Sequence, residues 1–211
     1  MVTCHIALLQ MAKAVRWDTI ARRFPWPFHS DKIVLRINPP RFSAAILRLR
    51  PGAEGTLPLP LQTYHHSTTG RMHASSEWLD WYALQSQSLL RSGGTWCGYY
   101  SYGSSISDPP MVKIEFSIEE STDEGNSELR AEQCSDGYGT FSISGNVDWE
   151  GLSFRGRKRY TSSFGYGDVN GVRWLWELKL TPFGLIGDWR NDSEIARQHG
   201  QVWLWKEDWS I

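Results

Sequence analysis

Leu152-Ser153-Phe154-Arg155-Gly156-Arg157-Lys158-Arg159-Tyr160 changes character at nearly every residue. Successive side chains of a strand point to opposite faces, so this stretch reads as a β-strand with Phe154, Gly156, Lys158 and Tyr160 on one face and Arg155, Arg157 and Arg159 on the other. The arginine face reads as solvated. A core would take the Phe154 face, and that face carries Lys158 inward with it. An inward lysine is costly unless paired or wetted. Two readings follow: a place near a rim where the ammonium reaches water, or a paired place whose partner is Asp136, Glu177, Asp188 or a ligand carboxylate or carbonyl.

The same alternation continues on both sides of this strand. Upstream lie Trp96 to Tyr102, Val112 to Glu119, Leu129 to Cys134 and Gly139 to Gly145; downstream lie Val172 to Leu180, Phe183 to Trp189 and Gln201 to Lys206. In Val112 to Glu119, Ile114, Phe116 and Ile118 share one face and Lys113, Glu115 and Glu119 the other. The links are turn-like: Asp136-Gly137, Gly145-Asn146, Asp168 to Gly171 and Pro182 to Gly184. Asp108-Pro109-Pro110 reads as a rigid loop, and Asp123 to Glu128 as an acidic hairpin loop. Regularly spaced short strands with no helix between them predict a mainly β fold, an antiparallel up-and-down eight-stranded barrel. A barrel of that size is filled by side chains or holds one small ligand. Ahead of it, Trp78, Trp81 and Tyr82 fall at i, i+3 and i+4 behind two serines, which predicts a short helix to about Arg91, stopped by Gly93-Gly94.

The chain holds 12 Trp, eight of them from Trp96 onward. Trp is the largest apolar side chain and carries an N–H donor, so this density marks a thick core or an aromatic-lined cavity. Trp174 and Trp176 share a face of their strand, and so do Trp203 and Trp205. Both faces of those strands hold apolar residues, so some Trp must cover the outside of the barrel. The residues expected to line a cavity and bind a hydrophobic small molecule are Trp96, Phe141, Phe154, Trp174, Trp176 and Trp189, with Tyr100, Tyr160 and Lys158 as the polar, catalytic group.

The net charge of −1 conceals two unlike pieces. Residues 1–71 carry ten Lys and Arg against three acids, and residues 72–211 carry twelve against twenty. The first piece is broken by Pro25, Pro27, Pro39, Pro40, Pro51, Pro58 and Pro60, which interrupt helix and strand alike. It reads as a basic, irregular and poorly ordered extension; a transit peptide and a basic arm for nucleic acid fit less well, because the prolines spoil an amphipathic helix and the arginines are dispersed. Residues 72–211 read as the barrel with its helix.

No run approaches the roughly 18 residues that span a bilayer, so no membrane span and a cytoplasmic location are expected. Cys4, Cys97 and Cys134 lack metal-ligand spacing and are odd in number, so Cys97 and Cys134 read as small strand residues. His65-His66 reads as a solvated loop pair. His199 is the sole histidine of the barrel segment, so no Ser-His-acid set can be assembled, and Gly165-Tyr166-Gly167 lacks the strand-to-helix setting of a phosphate loop. No metal and no cofactor are expected.

Gly94-Thr95-Trp96 after a helix resembles the first strand of lipocalin-like, or calycin-type, barrels. A fungal family is similar in layout through Gly94 to Tyr100, Asp136 to Gly145, Phe154 to Lys158 to Tyr160, Ile186-Gly187-Asp188-Trp189 and Gly200 to Leu204. This resemblance covers about Gly94 to Trp209. It implies either a small cofactor-free cyclase or isomerase of natural-product (secondary metabolite) biosynthesis, of Diels–Alder type, or a barrel module that recognises a peptide or degron, as attached to some F-box proteins. An F-box is not recognisable in residues 1–93. A deep, closed pocket would favour the small molecule, a shallow groove at the loop end the peptide; a barrel filled by its own side chains is the third alternative.

Overall fold

The computed structural model describes residues 11, 14, 76–102, 105–120, 126–165, 169–191 and 198–209. The reading of residues 1–71 as an extension lies outside them, save that Met11 is fully buried in the core and Ala14 packs partly against it. Helix α1 spans Ser76–Arg91. The strands are β1 (Thr95–Tyr102), β2 (Ser105–Ile106), β3 (Met111–Glu115), β4 (Ser117–Glu120), β5 (Asn126–Ser135), β6 (Gly139–Asp148), β7 (Ser153–Ser163), β8 (Arg173–Thr181), β9 (Gly184–Asn191) and β10 (His199–Lys206). A short 3-10 turn, Glu207–Trp209, follows.

Every strand pairs antiparallel with its neighbour, in chain order, from β10 back through β9, β8, β7, β6, β5 and β3 to β1. Closure comes from β1 against β10, with Trp96 opposite Lys206 and Tyr100 opposite Val202. The result is the expected closed eight-stranded antiparallel barrel, and closure removes the exposed edges an open sheet would present. The two shortest strands lie off the eight: β4 continues along β5, and β2 pairs with the end of β1. Among the described residues no helix is long and apolar enough to cross a membrane.

Val112 to Glu119 departs from one uninterrupted strand. The ladder breaks at Phe116, because β3 pairs with β1 while β4 pairs only with β5. Ile114 is fully buried, and Phe116 and Ile118 are half-buried rather than core.

Directly opposed residues of neighbouring strands share a face, so the interior can be traced from β7. Phe154 faces Leu178, Gly156 faces Trp176 and Lys158 faces Trp174. Trp176 in turn faces Trp189, and Leu180 faces Leu185. Phe154, Lys158 and Tyr160 are buried, while Arg155, Arg157 and Arg159 are exposed. The alternation read in the sequence is therefore the alternation of the fold. Trp203 and Trp205 take the opposite parity, on the outer face, and are nonetheless buried. Their rings stand edge to face at 5.3 Å, and the Trp203 indole N–H donates to the Phe183 carbonyl at 2.9 Å. The side chains of Trp78 and Trp81 lie outside the described residues.

Close backbone approach explains two glycines. Gly145 and Gly156 are partners across β6 and β7, and a Cβ on either would collide with backbone of the facing strand. Cys97 and Cys134 sit buried on β1 and β5, and burial pushes the Cys134 thiol up to about 12, which keeps it protonated and inert.

Candidate functional site

Tyr100, Tyr102, Lys158, Tyr160, Trp174, Trp176 and Trp189 line a recess at the barrel end where β7 finishes and β8 begins. Counted to its mouth it measures about 220 Å3, but its free interior is about 10 Å3. That is room for about one water molecule, or for one oxygen of a larger ligand. Towards the helix end the barrel is filled by its own side chains, Trp96 and Phe154 being fully buried.

Three bulges near this end set what the recess contains. Ala131 opposes Ile143 and Cys134 opposes Phe141, so Glu132 and Gln133 together face one residue of β6, with Gln133 at φ 57°. Ala131, Cys134 and Asp136 are consequently all buried while Glu132 and Gln133 are exposed. On β3 an extra residue between the Trp96–Ile114 and Gly98–Met111 pairs, with Lys113 at φ 58°, leaves Met111 and Ile114 both buried. On β7, Thr161 is the extra residue between the pairs Thr140–Ser162 and Phe141–Tyr160. Bulges re-aim side chains and gather next to functional sites; here two of them turn Asp136 and Met111 toward Lys158.

Lys158 is 2% exposed and forms an ion pair with Asp136 Oδ2. Its Nζ also donates to the Tyr160 hydroxyl at 2.9 Å and lies 3.9 Å from the Met111 sulfur. The ammonium is caged by the rings of Phe141 at 4.0 Å, Tyr160 at 4.5 Å and Tyr100 at 4.7 Å. Asp136 is held from both sides. Its Oδ1 accepts the backbone N–H of Tyr138 at 2.8 Å and of Gly139 at 3.3 Å, and its Oδ2 accepts the Tyr160 hydroxyl at 2.7 Å as well as Lys158. Asp136 is thus the partner, and Glu177 and Asp188 are not: Glu177 lies on the outer face, with Arg155 at 3.6 Å and Arg190 at 3.4 Å, and Asp188 is its cross-strand neighbour.

Burial pulls the Lys158 ammonium from its ordinary 10.5 down to about 8, against the opposing attraction of Asp136. Burial likewise pushes the Tyr100 and Tyr160 phenols far above 10, with Tyr102 raised to about 12. All three stay protonated through the physiological range. The Tyr160 proton is committed to Asp136. The Tyr100 hydroxyl is buried and close enough to Tyr160 for each phenol to affect the other's ionisation, yet it makes no hydrogen bond of normal geometry. A buried hydroxyl that lacks a well-formed hydrogen bond forgoes part of the roughly 1–3 kcal/mol such a bond recovers, so the Tyr100 hydroxyl is a weakly held donor that a ligand oxygen can claim.

The residues read from the sequence divide cleanly. Tyr100, Lys158, Tyr160, Trp174, Trp176 and Trp189 line the recess. Phe141 stands behind Lys158 and edge-on to Tyr160 at 5.9 Å. Trp96 and Phe154 face inward but away from the recess; Trp96 packs edge-on to Phe116 at 5.6 Å. Tyr102 was missed, although it shares the Tyr100 face of β1 by simple period two. It stacks edge-on to Trp189 at 4.8 Å, and Trp174 does so at 4.9 Å. Tyr102, Tyr138 and Phe164 expose aromatic surface at this end, where the Phe164 N–H donates to the Tyr138 carbonyl at 2.8 Å. Among the described residues no group of His, Cys, Asp and Glu is placed to hold a metal.

Compared with known proteins, the chain matches no family model, no curated protein and no solved structure.

Proposed function

We propose that the barrel binds a hydrophobic small molecule at its open end and takes the ligand's carbonyl oxygen into the recess, where the Tyr100 hydroxyl donates to it. The observation that carries this reading is the buried Tyr100 hydroxyl, without a well-formed hydrogen bond, on a residue that lines a recess with room for one oxygen. The apolar body of the ligand rests against Trp174, Trp189 and Tyr102, whose edge-to-face contacts are worth about 0.5–1.5 kcal/mol each. Tyr102 is exposed and Trp174 half-buried, so a modest rearrangement of these two rings enlarges the entrance.

Donation from a neutral phenol in a dry site draws electron density from a conjugated carbonyl, and the walls hold the rest of the ligand in one conformer. That is the chemistry of a cofactor-free isomerase or cyclase, the activity the motif resemblance implies. Lys158, Tyr160 and Asp136 serve as the support that fixes the Tyr100 environment.

A second reading, recognition of a peptide end, is favoured by the shallowness of the free space and the exposed rings of Tyr102, Tyr138 and Phe164. Tryptophan fluorescence titrations separate the two. Naphthaldehyde and acetylnaphthalene should bind about fivefold to tenfold tighter than naphthalene, the worth of one hydrogen bond of about 1 kcal/mol. Equal affinities for all three would remove the carbonyl reading, and binding of a capped aromatic dipeptide alone would establish the peptide one.

A further inference from the structure

Lys158 and Tyr100, whose hydroxyl is the proposed donor, line the same recess, and Lys158 Nζ stands 4.7 Å from the centre of the Tyr100 ring. A carbonyl oxygen held by that hydroxyl puts the carbonyl carbon next to a primary amine. We propose that Lys158 captures hydrophobic aldehydes covalently as an imine, with Asp136 as the proton carrier and then the counter-ion; this rests on the carbonyl-binding reading above.

The step balances within the groups present. The ammonium gives one proton to the Asp136 carboxylate, with which it is in direct contact. The amine lone pair attacks the carbonyl carbon, forming the N–C bond while the C=O π pair moves to oxygen. A second proton passes from nitrogen to that oxygen, through the Tyr160 hydroxyl 2.9 Å from Nζ. Asp136 then returns its proton to the new hydroxyl, the C–O bond breaks and water leaves. The product is a protonated imine beside an ionised Asp136. The charge is the same before and after, and no oxidant or reductant is needed.

Several features suit this chemistry. Of the three hydrogen-bonding contacts of Nζ, the one to the Met111 sulfur at 3.9 Å is weak and is the one most easily yielded to a carbonyl carbon. Phe141, Tyr160 and Tyr100 present ring faces to a cation, and these serve an iminium as they serve the ammonium. An aldehyde places only a hydrogen beside the carbonyl carbon, so among carbonyl compounds it asks the least displacement of the rings around so small a recess. Burial also leaves a fraction on the order of a tenth of Lys158 as free amine near neutral pH. The exposed Lys113 and the half-buried Lys179 lack this environment.

The test uses the full chain with naphthaldehyde near neutral pH, followed by cyanoborohydride reduction, intact-mass analysis and peptide mapping. The expected result is a secondary-amine adduct on Lys158, formed at least about tenfold faster than on Lys113 or Lys179, because Lys158 has a carboxylate in contact to carry its proton. Lys158→Arg, which retains a cation for Asp136 but cannot form the imine, should lose the adduct. Adducts on Lys113 and Lys179 at the same or greater rate than on Lys158 would overturn the proposal without recourse to any variant. Naphthalenemethanol, which cannot form an imine, is titrated in parallel. If it binds while Lys158 stays unmodified by the aldehyde, imine capture fails and the ligand-binding reading stands; if neither compound binds, both fail.

Discussion

Asp136 reaches Lys158 because the chain carries one extra residue at Gln133. Strict alternation from the inward Leu129 and Ala131 would leave Asp136 on the outer face; the bulge reverses the parity, and Asp136 becomes a buried carboxylate paired with a buried ammonium. Gln133 occupies the left-handed region at φ 57° with its side chain exposed. That conformation costs a non-glycine residue roughly 1–2 kcal/mol. Gln133→Gly should therefore raise stability by about 0.5–1 kcal/mol, and Gln133→Val should lower it; urea unfolding midpoints read both. The opposite order would mean that the bulge is not a built feature.

The pair itself should show strong coupling. Asp136→Asn or Lys158→Met alone leaves a charge buried without its partner, which costs about 3–5 kcal/mol. The double variant removes both charges and should be less destabilised than the sum of the singles by at least about 1 kcal/mol. Additive losses in urea denaturation would contradict a direct pair.

Stability should depend on pH with a definite sign. The folded Lys158 titrates near 8, below the ordinary 10.5, so between those values the unfolded chain binds more protons and stability from this group rises with pH. Cys134 and the phenols of Tyr100, Tyr102 and Tyr160 act oppositely, since their folded values lie above the unfolded ones. Their contribution is lost as pH climbs past about 9 for the thiol and 10 for the phenols. The thermal midpoint should thus rise from pH 8 toward 9 and fall beyond. A monotonic fall from pH 8 would contradict the depressed lysine.

Close packing gives a fourth expectation. A Cβ on Gly156 would meet the Phe154 ring and the Ser144 carbonyl. Gly156→Ala should destabilise by about 1–3 kcal/mol through overpacking, measured by thermal or urea unfolding. A neutral result would mean that β6 and β7 are less closely paired at this point.

The barrel was legible in the sequence because period two and turn residues recur from Trp96 to Lys206, and those local signals set each strand. Inward placement of Phe154, Lys158 and Tyr160 was legible for the same reason. The site was legible only in part. Asp136 could be named as one of three possible partners for Lys158, but parity alone could not choose it, because a bulge is a one-residue irregularity that period two does not register. Met111 was hidden the same way, by the bulge at Lys113. Trp96 and Phe154 face inward as alternation requires, yet whether an inward ring lines a recess or fills the core depends on depth along the barrel, which strand pattern does not encode.

The most direct measurement is the binding of acetylnaphthalene and of naphthalene to the wild type and to Tyr100→Phe, with unfolding midpoints recorded on the same samples. If the Tyr100 hydroxyl is a weakly held donor that a ligand oxygen can claim, the variant loses about fivefold to tenfold in affinity for the ketone alone, and its stability is unchanged or higher because a buried hydroxyl without a well-formed hydrogen bond is gone. Unchanged ketone affinity, or a stability loss above about 1 kcal/mol showing that the hydroxyl was already bonded within the protein, would contradict it.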